Sequence, residues 1–391
     1  LTARDELDLG SGKTLRVRWA EPPTLDPGLV ADAHTGFLIA HLFSGLVELG
    51  PDLDVLPDVA LRWEMSEGGR RLVFHLRDDV VWSDGEPVTA ADFEFAWRRV
   101  LDPAVDSPAA SFLYDLKGAA GYHRGQADVG GLGVRAVDDV TLRVELEHPT
   151  GYFLQLLTHA AYRPVPRHAV ESDGEAWTAG SLVGNGPFRL LDWERGRRMR
   201  LTRNLAYHGR FEGNLERVEI RLSVDESARL GMYGSDELDV LGIGYLPAAE
   251  RGEARSRHAP EYRSGPRLET SFVAFNVTRP PFSDPRVRQA FAMATDRTAL
   301  ASVVLQGYAA PADGGFVPPG MAGYSPGISL PYDPERAREL LAEAGYEGGR
   351  GFPNVKALGF RAGGPRVDYL TSEWEEVLGV NIAWTVLPWA E

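Results

Sequence analysis

Residues 82–97 read WSDGEPVTAADFEFAW, a tight turn that runs directly into a helix. Gly85 follows Asp84, and glycine tolerates the positive φ that such turns require. Thr89 is a suitable N-cap, and Asp92 stands three residues later, as in a capping box. The helix predicted after this cap has one apolar face, formed by Phe93, Trp97 and Leu101. The stretch therefore predicts a packing corner rather than a chemical site.

Neighbouring segments extend this corner into a mixed α/β pattern. Alternation at residues 72–77 and 141–146 predicts two strands, and residues 183–207 predict a hairpin that turns near Gly196. Residues 34–49 have a helical pattern, and residues 380–387 a strand pattern. Asp-Pro pairs predict two further helix starts, because Asp caps and Pro fits the first turn. These pairs are Asp284-Pro285 and Asp333-Pro334.

Composition limits the class of protein. The chain has 391 residues, which is long for one core, so two or more lobes are expected. Its formal net charge of −15 argues against nucleic acid as a partner, because phosphate binding needs a basic face. It has no cysteine, which excludes disulfides and thiolate metal sites. No apolar run approaches the roughly 18 residues of a membrane span. The sequence begins at Leu1 without a signal segment, so we expect that a leader was removed or that the chain was cut.

Catalytic motifs are missing from the sequence. Ser44 follows Leu-Phe rather than the glycine of a nucleophile elbow. The glycine pairs at residues 131 and 133 and at 242 and 244 lack the third glycine of a dinucleotide motif. The histidines show no metal-binding spacing. By elimination, the sequence indicates a binding protein without enzymatic activity, cofactor or metal.

Four blocks, in order, resemble the family 5 solute-binding proteins of bacterial ABC importers, which include the oligopeptide- and dipeptide-binding proteins. The first block comprises residues 60–63 (ALRW), 72–77 (LVFHLR) and 81–93 (VWSDGEPVTAADF). The second is 184–188 (GNGPF) with Asn204 and Tyr207. The asparagine at position 185 is similar to the oligopeptide-binding branch of the family. The third comprises 274–276 (AFN), 281–284 (PFSD), 287–290 (VRQA) and Asp296-Arg297, and the fourth 332–334 (YDP) and 340–346 (LLAEAGY).

The resemblance implies an α/β fold of the periplasmic-binding-protein type II kind, with mixed sheets in two lobes that close over a ligand. Lobe one would comprise residues 1–43 and 167–267, with an extra peripheral subdomain at 44–166, and lobe two would comprise 268–391. In the family a further stretch completes lobe two and supplies the aspartate for the peptide's N-terminus. We therefore expect an incomplete second lobe here.

The resemblance also implies the function. The chain would bind short peptides outside the cytoplasm, in the periplasm or anchored to the outer face of the cell membrane as a lipoprotein, and deliver them to an ABC permease. It would need no nucleic acid and would act as a monomer. Segments that face the cleft in the family correspond to residues 30–34, 109–112, 242–245 and 270–275. The residues predicted to bind ligand are Ala31, Ala33, His34, Ala109, Phe112, Asn185, Gly244, Tyr245, Phe272 and Ala274.

Two alternatives remain open at this stage. The chain could bind another solute, such as an oligosaccharide, an opine or a nickel complex. It could instead be the ligand-sensing module of a larger transcriptional or signalling regulator. In the full-length gene, a leader with a lipid-accepting cysteine would favour the importer, and an upstream helix-turn-helix would favour the regulator.

Overall fold

The computed structural model describes residues 13–178, 182–209, 213–222, 224–265, 267–359 and 364–386. The strands in these residues are β1 (Lys13–Arg18), β2 (Val47–Leu49), β3 (Val55–Pro57), β4 (Ala60–Ser66), β5 (Arg71–Leu76), β6 (Val134–Asp138), β7 (Thr141–Glu145), β8 (Phe188–Glu194), β9 (Arg198–Arg203), β10 (Leu215–Arg221), β11 (Val355–Gly359) and β12 (Ile382–Val386). The α-helices are α1 (Ala33–Leu42), α2 (Ala90–Leu101), α3 (Ala119–His123), α4 (Phe153–Leu156), α5 (Arg167–Asp173), α6 (Arg229–Gly234), α7 (Ala248–Arg257), α8 (Pro285–Met293), α9 (Arg297–Ala299), α10 (Pro334–Glu343) and α11 (Pro365–Leu378).

The chain divides into two compact units, which we call unit 1 (residues 1–257) and unit 2 (residues 258–391). Unit 1 contains a sheet of order β1-β10-β9-β8, in which β1 is parallel to β10 and the other pairs are antiparallel. A second sheet of unit 1 has the order β4-β5-β7-β6 and is antiparallel throughout. In unit 2, β11 and β12 form a parallel pair. The predicted mixed α/β class is confirmed, whereas the finer lobe and subdomain borders stay a prediction.

Helix α2 has the predicted cap and the predicted buried face. The Asp92 carboxylate accepts hydrogen bonds from the Thr89 backbone N–H at 2.8 Å and from its hydroxyl at 3.1 Å. Burial raises the pKa of this carboxyl, and the bonds from Thr89 oppose that rise. In the preceding turn, Gly85 has φ of +98°. The side chains of Phe93 and Trp97 are fully buried, so the opening stretch is a packing corner in the core of unit 1.

A short 3₁₀ helix, Ala160–Tyr162, packs against α2. The Trp97 indole N–H donates to the Tyr162 carbonyl at 2.8 Å, and the two rings meet edge to face at 5.1 Å. His159 caps this turn, because its Nδ1 accepts the Ala161 N–H at 3.2 Å. Burial, and then the charge of Arg163, lowers the pKa of His159. A neutral imidazole is therefore part of the packed corner.

Residues 184–188 (GNGPF) cross the end of α1. The Gly186 N–H donates to the Leu42 carbonyl at 2.9 Å, and a Cβ on Gly186 would lie 2.5 Å from the Leu42 carbonyl carbon. The Asn185 amide accepts from the Ser44 N–H at 2.9 Å and donates to the Ser44 carbonyl at 3.3 Å. Glycine is required here because the two backbones touch. The motif therefore joins two segments that are far apart in sequence.

The helical pattern predicted for residues 34–49 is wrong beyond Leu42. Helix α1 ends there, and Val47–Leu49 forms β2, which pairs with β3. The Ser44 N–H binds the Asn185 side chain instead of a helical carbonyl, so the helix cannot continue. The hairpin β8–β9, with Gly196 at φ +68°, and helices α8 and α10 follow the sequence predictions. The predicted strand at 380–387 corresponds to β12, and Leu387 lies outside the described residues.

Unit 2 has its own aromatic core. Phe291 of α8 contacts Trp374 of α11 with ring centroids 5.0 Å apart, and Trp374 stacks on Trp384 of β12 at 6.4 Å. The Trp374 indole N–H donates to the Thr295 hydroxyl at 3.0 Å, and the Trp384 indole N–H donates to the Thr371 hydroxyl at 3.0 Å. Both indoles thus have polar partners within an apolar cluster.

We expect Phe93→Ala and Trp97→Ala to lower the free energy of unfolding by about 3–5 kcal/mol each. Both changes leave a cavity in the core of unit 1, and Trp97→Ala also leaves the Tyr162 carbonyl without its donor. Urea unfolding measures the effect. Phe95→Ala on the same helix is the control, since that side chain is only partly buried. An equal or larger loss in the control would contradict the assignment of the buried face.

His159 should make unit 1 sensitive to acid. Its folded-state pKa lies below the ordinary value of about 6.5, so the unfolded chain binds the proton at higher pH and stability falls as pH falls below about 6.5. We expect His159→Asn, which keeps a cap acceptor, to lose less stability than wild type between about pH 7 and pH 5. Unfolding curves at about pH 8, where the imidazole is neutral, separate this effect from lost stacking. If the free energy of unfolding changed with pH in the same way in both proteins, the role of His159 would be refuted.

Candidate functional site

The first predicted ligand segment, residues 30–34, leads into α1. Asp32 caps this helix by accepting from the Thr35 N–H at 2.9 Å and from its hydroxyl at 2.7 Å. The cap leaves Ala31, Ala33 and His34 exposed at the start of the helix. The Trp19 indole N–H donates to the His34 carbonyl at 3.1 Å. The Asp32 cap and the Trp19 indole thus fix the segment where it enters the helix.

Residues 109–112, the second predicted segment, lie next to the loop that precedes the first. The Ser107 hydroxyl donates to the Gly28 carbonyl at 2.5 Å and accepts from the Ala109 N–H at 3.1 Å. In the same loop the buried Asp26 carboxylate pairs with Arg99 of α2 at 2.7 Å. The structure therefore brings these two predicted segments together through hydrogen bonds that sequence patterns did not reveal.

Phe112 presents an aromatic face from the second segment. Phe112 is 43% exposed, and its ring stacks on His159 with centroids 4.0 Å apart and an interplanar angle of 24°. The Tyr162 hydroxyl donates to the Phe112 carbonyl at 2.8 Å, and burial raises the pKa of Tyr162. Phe112 is thus fixed by the same corner that contains Trp97. A ring held in this way can bind apolar groups without losing further side-chain freedom.

Two arginines hold the third segment, residues 242–245. Arg229, whose side chain is 6% exposed, donates to the Tyr245 carbonyl at 2.7 Å. Arg251 donates to the Gly244 carbonyl at 3.2 Å. Gly244 is exposed and Tyr245 is 37% exposed. These cations are occupied with backbone groups, so the segment presents mainly a glycine and a phenol ring.

The fourth segment, residues 270–275, belongs to unit 2. Residues 267–276 form no helix, strand or turn, and within the described residues their backbone groups make no backbone hydrogen bond. Phe272 is 63% exposed and meets Phe316 edge to face at 5.0 Å, and Ala274 is also exposed. The segment offers unpaired backbone groups together with apolar side chains.

Two predicted site residues lie in the interior of unit 1. Ala109 is 0% exposed and Asn185 is 1% exposed. Both ends of the Asn185 amide bind the Ser44 backbone, so in this structure it fixes the shape of the chain beside α1. His159 and Trp19 support the exposed segments, but neither was predicted as a site residue from the sequence. Only their aromatic character was visible, because their contacts join distant parts of the chain.

A histidine and an aspartate pair in the interior of unit 1. His208 and Asp58 lie 2.8 Å apart with side chains 3% and 6% exposed. Burial lowers the pKa of Arg163, which donates to the Phe43 carbonyl, and raises the pKa of Glu48. Among the described residues no three metal-binding side chains are grouped to hold an ion. No helix in the described part of the chain is long and apolar enough to cross a membrane.

Known proteins resemble this chain along most of its length. The probable deoxycholate-binding periplasmic protein YgiS of Escherichia coli K12 is 34% identical over 388 residues, which is 95% of this chain and 70% of that protein. The periplasmic oligopeptide-binding protein OppA of the same organism is 33% identical over 359 residues, 87% of this chain and 65% of that protein. The solved structure of the Escherichia coli murein tripeptide binding protein MppA matches with a TM-score of 0.85 and 31% identity, covering 97% of this chain and 76% of that one.

The match to the solved structure of MppA establishes the predicted type II periplasmic-binding-protein fold, because it covers nearly the whole chain. A family model described as bacterial extracellular solute-binding proteins, family 5 middle, matches residues 54–391. That range includes all four of the sequence blocks in full. The chain therefore belongs to family 5 of the bacterial extracellular solute-binding proteins.

Proposed function

We propose that this protein captures short peptides as the solute-binding component of an ABC importer and delivers them to the membrane permease. The observation that carries the proposal is that relatives named for peptides match this chain both in sequence and in fold. OppA is named for oligopeptides, and MppA, whose fold aligns with nearly all of this chain, for a murein tripeptide. The chain spans 65% of the length of OppA and 76% of that of MppA, so peptide capture and delivery are proposals for this chain.

The four predicted segments are the proposed peptide contacts. A protein that accepts many peptides must recognise what they share, which is the backbone and the two charged ends. The unpaired backbone of residues 267–276 suits strand-like pairing with an extended peptide. Small residues such as Ala31, Ala33 and Ala274 leave room for side chains and water. Phe112, Tyr245 and Phe272 supply exposed rings for apolar side chains.

Binding without chemical change is part of the same proposal. The exposed residues of the four segments are mainly alanine, glycine and aromatic residues, and His34 is the one titratable imidazole among the ten predicted contacts. General acid–base or nucleophilic catalysis needs paired groups within hydrogen-bond reach. The side-chain types of the ten predicted contacts do not include such a pair.

A second candidate ligand is an amphipathic apolar solute such as deoxycholate. The observation in its favour is the 34% identity to YgiS, a protein named as probably deoxycholate-binding. The exposed rings of Phe112, Tyr245 and Phe272 suit a rigid apolar ligand as well as peptide side chains. The two candidates therefore share contacts and differ in the need for backbone pairing.

Calorimetry with two ligands separates these candidates. We expect a mixture of tripeptides to pentapeptides to bind with a Kd near micromolar, about −8 kcal/mol, and deoxycholate to bind at least about tenfold more weakly. Mass spectrometry should recover the bound peptides uncleaved. If deoxycholate bound and the peptides did not, deoxycholate would become the proposed ligand. Cleaved peptide would refute binding without turnover.

The exposed rings provide a site-directed test. We expect Phe112→Ala, Tyr245→Ala and Phe272→Ala each to weaken peptide binding by roughly tenfold, because each removes a partly desolvated aromatic contact. Tyr152→Ala is the matched control, since that ring is 60% exposed and lies outside the four segments. Melting temperatures show whether each variant is folded. Unchanged affinity in all three variants would contradict the proposed contacts.

A further inference from the structure

A cavity of about 370 Å³ lies at the β6 edge of the sheet β4-β5-β7-β6, in unit 1. It is formed by the loop before β6, the strands β6 and β7, residue 117 and one side chain of α2. The residues that line it are Arg98, Lys117, Gly130, Gly131, Leu132, Gly133, Val134, Arg135, Arg143 and Glu145. None of these residues belongs to the four segments proposed to bind peptide.

The lining carries more positive than negative charge. Four of its side chains are cationic and one, Glu145, is anionic. Glu145 accepts from Lys117 at 3.0 Å and lies 3.8 Å from the Arg143 Nε, and it also bonds to Arg71 at 3.4 Å. One carboxylate therefore serves three cations. The excess is local, because the whole chain has a formal net charge of −15.

Two of the arginines lack full compensation. The Arg135 side chain makes no hydrogen bond or ion pair with the residues that the structure describes. Arg98 pairs with Glu94 through one terminal nitrogen, but its buried Nε has no hydrogen-bond partner among the described residues. Guanidinium groups present several donors in one plane. The Arg135 guanidinium is therefore available to an anion in the cavity, and Arg98 adds a further positive charge to the lining.

Arg135 and Arg143 are directly opposite each other in the β6–β7 ladder. Opposed side chains of neighbouring strands lie on the same face about 5 Å apart at Cβ, and like charges in this position destabilise a sheet. An anion between the two guanidinium groups would convert this repulsion into two charge-assisted attractions. The pair is thus an unfavourable feature of the free sheet that a bound anion would relieve.

The backbone beneath these side chains is tightly packed. A Cβ on Gly133 would lie 2.2 Å from the Glu145 carbonyl oxygen and 3.0 Å from the Lys117 nitrogen. Gly133 donates to the Lys117 carbonyl at 2.8 Å, and the Glu145 N–H donates to the Gly133 carbonyl at 2.7 Å. These contacts fix the backbone of Lys117 relative to that of Glu145, and both side chains line the cavity. A preformed arrangement of this kind lowers the entropic cost of binding.

We propose that this cavity binds a phosphate group, which we call the phosphate site. Phosphate offers up to two negative charges and several acceptor oxygens, which match convergent arginines better than a single carboxylate does. The group can come from a soluble phosphate compound or from the headgroup of an anionic lipid. Its binding adds a second, anionic ligand to a protein whose proposed peptide contacts lie elsewhere.

Calorimetry with pyrophosphate tests the soluble source, and sedimentation with vesicles of equal parts phosphatidylglycerol and phosphatidylcholine tests the lipid source. Wild-type protein should bind at least one probe, more weakly as ionic strength rises. Vesicles of phosphatidylcholine alone should not bind. Arg135→Gln combined with Arg143→Gln should weaken binding by at least about tenfold, because two charge-assisted contacts are removed.

Arg62→Gln combined with Arg197→Gln makes the same change in net charge at two side chains that are 60% and 73% exposed. This control should bind the anionic probe as wild type does. Peptide affinity should be equal in all three proteins, which separates the phosphate site from the proposed peptide function. Failure of wild type to bind either probe overturns the proposal. Equal weakening in the control variant also overturns it, because net charge alone would then explain binding.

Discussion

The indole N–H of Trp97 donates to the carbonyl of Tyr162 in the buried centre of unit 1, and much of that unit depends on this bond. It joins α2 to the 3₁₀ turn that His159 caps. From the same turn, the Tyr162 hydroxyl donates to the Phe112 carbonyl and the His159 ring stacks under the Phe112 side chain. A buried donor with a fixed acceptor specifies one arrangement, because leaving either group unpaired is costly. The corner thus sets the position of an exposed ring.

Elements whose signals are local could be predicted from the sequence. The cap of α2 by Thr89 and Asp92, the Asp-Pro starts of α8 and α10, and the turn at Gly196 depend on residues within a few positions of each other. Such signals are strong because the competing backbone conformations are few.

Features that depend on contacts between distant residues could not be predicted. The end of α1 is set by Asn185, a residue on another segment, so the helical pattern through residue 49 was misleading. The link between residues 28 and 107 and the burial of Asn185 also needed the folded chain. For the candidate site, sequence resemblance located the segments, but exposure separated the surface rings of Phe112 and Phe272 from buried Ala109. Side-chain type alone does not determine burial.

The stacked indoles of Trp374 and Trp384 make unit 2 optically distinct. Two parallel chromophores with centroids 6.4 Å apart, tilted by 16°, couple their electronic transitions. Each ring also has its N–H fixed by a threonine hydroxyl, so the geometry does not average out. Near-ultraviolet circular dichroism of this pair therefore reports on the packing of α11 against β12. Loss of this coupled signal on unfolding marks the loss of that packing without any added label.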